Sequence, residues 1–352
     1  MSRLPKLFTR LRRVPHTINR IIEATGEYAP WLFLTLFIAA SFLMIWRLEV
    51  MSGRGFEGTV LGTLVMPYCS GLGNLIFAFI LGRNGGNGQD VMTNSLVNNV
   101  TNMTLVLGLP AIIWGIRVLP EKKSGKDGSS PRKNNAAGKT HELNRLSLLL
   151  TLTAVAFFTG AVWALGRDGK INFNDGVVLV GLFLFWQCFH VFDVLKHNVR
   201  QGKSLGWTLP LDLALLGVGA YGIYLSVDWL VKWVATIHTG FVSAEYMGWL
   251  SGWLMVLPNA LLAMYYAWRG QPETVYASQV GDSHVSIPLC VGIFALYHPI
   301  IISPFFTTSV CILLGATLVH FLCVTIFGRL PRIVGYLLIV AYGVFLFKGL
   351  IG

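Results

Sequence analysis

The chain has 352 residues, of which 54% are hydrophobic and 12% charged, with a formal net charge of +11. Soluble domains carry about 25% charged residues, so a soluble globular domain is excluded and an integral membrane protein with many spans is implied. The basic excess sits in loops and at helix ends, where it serves topology and lipid headgroup contact and gives no sign of a nucleic-acid partner.

Residues 1–28 place six basic residues among Leu, Phe and Ile. They read as a basic amphipathic segment lying on the bilayer surface. No small-residue cleavage site follows, so a secretory signal is not expected. A spanning helix needs about 20 mostly apolar residues. Ten segments qualify, at about 30–48, 57–82, 89–116, 145–166, 175–196, 208–231, 240–268, 274–297, 300–325 and 331–351. The second, third, seventh and eighth contain Gly, Pro or Asn and are expected to be broken helices facing the interior, because lipid cannot satisfy irregular backbone. The Gly/Ser/Lys-rich stretch 118–144 reads as a flexible cytoplasmic loop. Ten spans then put the basic N-terminal segment on the outer side, against the positive-inside bias. The five cysteines fit no disulfide or zinc framework and read as buried thiols.

The chain also repeats itself. FEGTVLGTLVMPYCSGLGN (56–74) leads through a Gly/Asn turn to QDVMTNSLVNNVTNMTLVLG (89–108). SAEYMGWLSGWLMVLPN (243–259) leads through RGQPE to TVYASQVGDSHVSIPLCVG (274–292). Each copy runs to a lone Asn (Asn74, Asn259), turns, and enters a second apolar run with polar residues on one face. A cut near residue 200 gives a first repeat over 29–200 and a second over 201–352, with five spans in each. An odd number of spans per repeat forces the copies into opposite orientations. Interrupted segments in matching halves point to a transporter's binding site.

Three stretches carry a family resemblance. SVDWLVKWVATIHTGFVSAEYMGWLSGWLMVLPN (226–259), QDVMTNSLVNNVTNMTLVLG (89–108) and RDGKINFNDGVVLVGLFLFW (167–186) are similar to the lead-in to the second α-repeat, the end of the first, and the hairpin between the fourth and fifth spans of the cation/calcium exchanger superfamily. That resemblance implies an all-α integral membrane protein of about ten transmembrane helices, built as two inverted five-helix repeats with broken helices at the midplane. It also implies a transporter and not an enzyme, with no cofactor beyond the transported cation. The family's Glu after Pro is absent from both copies: Asn74 follows Gly73 and Asn259 follows Pro258. Its Gly-Ser-Asn-x-x-Asn/Asp pattern reads Val97-Asn98-Asn99-Val100-Thr101-Asn102 in one copy and Gly281-Asp282-Ser283-His284-Val285-Ser286 in the other.

The expected site for a transported ion or solute is therefore Asn74, Asn98, Asn102, Asn259, Asp282, Ser283 and Ser286. Calcium takes six to eight oxygens, commonly with more than one carboxylate. One carboxylate among neutral oxygens balances Na⁺, K⁺ or H⁺ better than Ca²⁺, since excess charge in low dielectric is costly. Asp282 is the expected coupling residue, because intramembrane acids are rare and functional. His284 is a packing residue or a proton relay. Glu57 and Glu245 read as solvated helix-end charges or gate residues. Cation antiport driven by a Na⁺ or H⁺ gradient, in the plasma (inner) membrane, is the function expected. Transport of another small polar solute and a transport-incompetent scaffold are the alternatives. The partners expected are the bilayer and small cations.

Overall fold

The computed structural model describes residues 26–53, 71–117, 131–198 and 209–351. The N-terminal basic segment through residue 25, Glu57 and the first part of the second apolar segment lie outside the described residues. Eleven α-helices occur among those described. They are α1 (Ala29–Gly53), α2 (Leu72–Asn84), α3 (Gly88–Thr101), α4 (Leu107–Ile113), α5 (Pro131–Leu165) and α6 (Phe173–Asn198). The second half follows with α7 (Leu209–Ala235), α8 (Met247–Trp268), α9 (Pro272–Ala295), α10 (Phe305–Leu322) and α11 (Arg332–Leu350). A π turn, Asn102–Val106, joins α3 to α4, so the described helices make up ten helical units. A second π turn, Cys323–Phe327, ends α10.

Local sequence explains the joints. Gly85 closes α2 at φ +70°, a conformation that costs Gly nothing, and its N–H meets the carbonyls of Leu81 and Gly82. Asn87 then caps α3 by accepting from Gln89 N–H at 3.0 Å. The Gly/Asn turn thus returns the chain directly alongside itself. α5 begins at Pro131, inside the stretch expected to be loop, with proline at the position where its missing N–H is harmless.

Four two-residue strands, β1 (Ile116–Arg117), β2 (Lys170–Ile171), β3 (Ile300–Ile301) and β4 (Arg329–Leu330), define the orientation of the two halves. β1 pairs with β4 and β2 with β3, both antiparallel. α5 carries the chain across from β1 to β2, so these two lie at opposite faces. β3 shares the face of β2. The third span therefore ends on the face opposite to that of the eighth, its counterpart in the duplicated sequence, and the repeats are inverted.

Packing follows the same two-fold exchange. α1 packs on α7 across the halves; α3 on α8 is answered by α2 on α9, and α6 on α9 by α4 on α11. Close approaches repeat as well. A Cβ on Gly176 (α6) would lie 3.0 Å from the Gly292 carbonyl (α9), and one on Gly335 (α11) 2.9 Å from the Gly108 carbonyl (α4). Small residues at these crossings let backbones meet where no hydrophobic force separates protein from lipid.

Seven of the described helical spans are long and apolar enough to cross a membrane. The span containing α3 is 78% buried in its apolar window and α11 only 22%, so the polar third span is central and the last faces lipid. Ile333, Leu337 and Val340 of α11 are exposed, which suits hydrocarbon. The third span is interrupted as expected, by its π turn. The seventh and eighth differ from expectation: α8 runs unbroken through Pro258 and α9 through Pro288. Membrane helices tolerate an internal proline where neighbouring groups and small backbone adjustments absorb the lost hydrogen bond.

Candidate functional site

α9 turns Gln279, Asp282, Ser283 and Ser286 into the protein, all fully buried. Three side-chain amides converge on one oxygen of Asp282. Asn98 Nδ2 and Asn102 Nδ2 each donate to Oδ2 at 2.9 Å, and Asn259 Nδ2 at 3.4 Å. Asn98 and Asn102 lie one helical turn apart, and the π turn begins at Asn102 itself. Asn259 arrives from α8, brought inward by Gly248 and Gly252, where a Cβ would fall 2.8 Å from the Asp90 carbonyl and 2.7 Å from Val97 Cβ respectively. Donation by three N–H groups helps to compensate the buried carboxylate. Asn98 and Asp282 occupy equivalent positions in the duplicated sequence and bond each other, so the pair straddles the pseudo-two-fold axis.

Around this centre runs a wider polar layer. Asn99 Nδ2 donates to Ser286 Oγ at 2.9 Å. The Ser286 hydroxyl has two acceptors at 3.1 Å, Asn99 Oδ1 and the Asp282 backbone carbonyl. Asn94 Nδ2 donates to Ser251 Oγ at 3.0 Å, tying α3 to α8. Ser283 Oγ donates to the Gln279 carbonyl at 3.1 Å, within its own helix. Gln279 Nε2 reaches the Asn259 carbonyl at 3.3 Å. The Oδ1 atoms of Asn98 and Asn102 are buried with no hydrogen bond. Unbonded buried carbonyl oxygens are the kind of ligand a hard cation takes.

Asp282, Asn98, Asn102 and Asn259 thus form one cluster, and Ser286 joins it through the Asp282 carbonyl and Asn99. Asn74 is fully buried at the start of α2, yet neither of its amide atoms bonds Asp282 or any other described group. His284 is buried too, roughly 200° around α9 from Asp282. Glu245 is exposed, as a solvated helix-end charge would be. A narrow cleft lined by Phe37, Ser41 and Ile45 of α1, Gly73, Ile223 of α7, and Met255, Pro258 and Asn259 reaches the cluster at Asn259.

Other polar residues were not foreseen in the sequence. Asn94 extends the i, i+4 row of Asn98 and Asn102 and could have been found by that spacing. Arg47 and Asp212, joined at 2.5 Å between α1 and α7, were visible as charges inside apolar segments. Tyr276 and His320 carried no local signal.

A family model, sodium/calcium exchanger protein, matches residues 30–192 and 211–348. The chain belongs to the sodium/calcium exchanger family. Solved structures agree on the fold. A sodium-calcium exchanger NCX_Mj structure soaked with 2.5 mM Na⁺ and 10 mM Sr²⁺ is similar with a TM-score of 0.61 at 20% identity, over 91% of this chain and 97% of that one. The same exchanger soaked with 100 mM Na⁺ and 10 mM Sr²⁺ gives a TM-score of 0.60 at 20% identity, over 91% and 96%. No curated protein matches the chain. Membership makes it an exchanger-type membrane protein and not an enzyme. Among the described residues no group of three or more His, Cys, Asp or Glu could hold a metal ion.

Proposed function

We propose that this family member is a secondary active cation antiporter that binds a monovalent cation, Na⁺ or H⁺, at Asp282 and couples to the gradient of that ion. The observation that carries the proposal is a single buried carboxylate, Asp282, ringed by amides from both repeats. Among the described residues only Asp212 is a second buried acid, and Arg47 neutralises it. One carboxylate is balanced by one monovalent cation, whereas Ca²⁺ commonly takes more than one carboxylate and is the poorer match in low dielectric. Asparagine supplies both halves of the exchange. Its amide nitrogen satisfies the bare carboxylate, and rotation about the terminal torsion offers its oxygen to a bound cation. Such coupling requires a membrane that carries a Na⁺ or H⁺ gradient, the plasma (inner) membrane in our reading.

Flux in proteoliposomes tests it. Asp282→Asn should abolish gradient-dependent cation exchange while the protein stays folded, and unchanged flux would remove Asp282 from the coupling role. A thermal-shift series over Na⁺, K⁺, Ca²⁺ and Mg²⁺ adds the ion preference, because a ligand that binds only the native state raises its melting temperature. Stabilisation by micromolar Ca²⁺ alone would reverse the choice of ion, and stabilisation by none would favour a scaffold.

A further inference from the structure

We propose that His320 and Tyr276 are positioning residues that hold the π turn and so set Asn102 against Asp282. His320, the last-turn histidine of α10, is fully buried. Its Nε2 meets the Met103 carbonyl at 2.7 Å, and its Nδ1 meets the Tyr276 hydroxyl, with the two rings edge to face at 5.3 Å. The proton positions follow from chemistry. A carbonyl only accepts, so Nε2 carries the hydrogen; the neutral ring then presents a lone pair at Nδ1, and the tyrosine hydroxyl donates to it. Tyr276, also fully buried, lies on α9 six residues before Asp282.

The chain Tyr276, His320, Met103 therefore links the helix that carries the carboxylate to the turn that carries its amide partner. Met103 is the residue directly after Asn102 inside that turn. π turns are rare, collect at functional sites and depart from the regular hydrogen-bond ladder. Here side chains take carbonyls in and beside the turn: Thr104 Oγ1 donates to Val100, and His320 to Met103. A strut of this kind fixes the 2.9 Å contact between Asn102 and Asp282 from outside the site, without touching a ligand. Holding a ligating group in place by a neighbour's hydrogen bond is how outer partners tune ion sites.

The role rests on the cation site proposed above, and the test separates the two. Tyr276→Phe deletes one hydroxyl and keeps the ring. His320→Leu deletes both bonds. His320→Gln can donate to Met103 through its amide nitrogen and accept from Tyr276 through its oxygen. Hydrogen exchange of the 98–108 amides in the full-length protein should be about tenfold faster in the first two variants and return toward wild type in the third. In proteoliposomes the half-saturating Na⁺ concentration should rise about tenfold in the first two, with maximal flux less affected, and again recover in His320→Gln. Unchanged exchange and half-saturation in folded Tyr276→Phe would overturn the strut, as would His320→Gln behaving like His320→Leu. If the wild type shows no cation-dependent stabilisation or flux, the cation site falls instead, and the exchange measurement still decides whether His320 holds the turn.

Discussion

Replacing Asn98 by Asp should convert the site to one that takes a divalent ion. Asn98 Nδ2 stands 2.9 Å from Asp282 Oδ2, so the substitution exchanges a donor for a second carboxylate oxygen on the axis. Even if the two oxygens relax to about 4 Å apart, like charges there repel by about 4 kcal/mol at an effective dielectric constant near 20. That is roughly a thousandfold in an equilibrium constant. A shared proton or a divalent cation removes the repulsion, and two carboxylates with the neighbouring Asn carbonyls and Ser hydroxyls offer the oxygen set Ca²⁺ prefers. Asn98→Asp should therefore melt lower than wild type without divalent ions and be rescued by Ca²⁺. A ligand at 100 times its dissociation constant adds about 2.7 kcal/mol, a few degrees of melting temperature. The assay is a thermal-shift titration in detergent from micromolar to millimolar Ca²⁺, run beside wild type. A folded variant whose melting temperature ignores Ca²⁺, or a wild type that responds as strongly, would refute the charge argument.

Two further predictions concern the frame. Arg47 and Asp212 are both buried, so Asp212→Asn, which strips the guanidinium of its counter-charge, should cost about 3–5 kcal/mol. Arg47→Met combined with Asp212→Leu should restore most of that stability in thermal melts, and equal loss in both variants would contradict it. Gly252→Ala sets a Cβ 2.7 Å from Val97 Cβ, an atom fixed to the α3 backbone that no rotamer can move. It should cost about 1–3 kcal/mol and lower flux, with Val97→Gly as the partial rescue; wild-type flux and melting in the single variant would show that the helices can part freely.

Much of the fold was legible because it depends on local patterns. Spans follow from apolar runs, the tight α2–α3 joint from Gly85 and Asn87, and inversion from an odd number of spans per repeat. Asp282 was legible because a lone acid in an apolar run is costly, and Asn98 and Asn102 because they share a helical face. Asn74 shows the limit of repeat logic. It matches Asn259 in sequence, but Asn259 reaches Asp282 and Asn74 does not, since equivalent positions in inverted repeats need not face the same partner once the site itself is asymmetric. Pro258 and Pro288 misled for a different reason. Proline signals lost hydrogen bonds, but whether a helix breaks depends on the neighbours that absorb them. His320 was invisible because its partners, Tyr276 and Met103, lie 44 and 217 residues away.

The asymmetry of the site is what connects fold to exchange. An inverted pair of repeats gives a carrier two states that are structural counterparts, one open to each face, provided the ligand sits where the exchange of halves leaves it nearly in place. The Asn98–Asp282 pair meets that condition, because equivalent residues that touch must straddle the axis. Symmetry alone would put the same residue on both sides: two asparagines leave a cation uncompensated, and two aspartates repel until a proton or a divalent ion enters. One of each keeps the position on the axis while setting the charge at −1. The resemblance implies that relatives carry paired glutamates where Asn74 and Asn259 stand. On the function proposed above, losing both while holding one acid beside the axis changes the ion that balances the site and keeps the inverted frame.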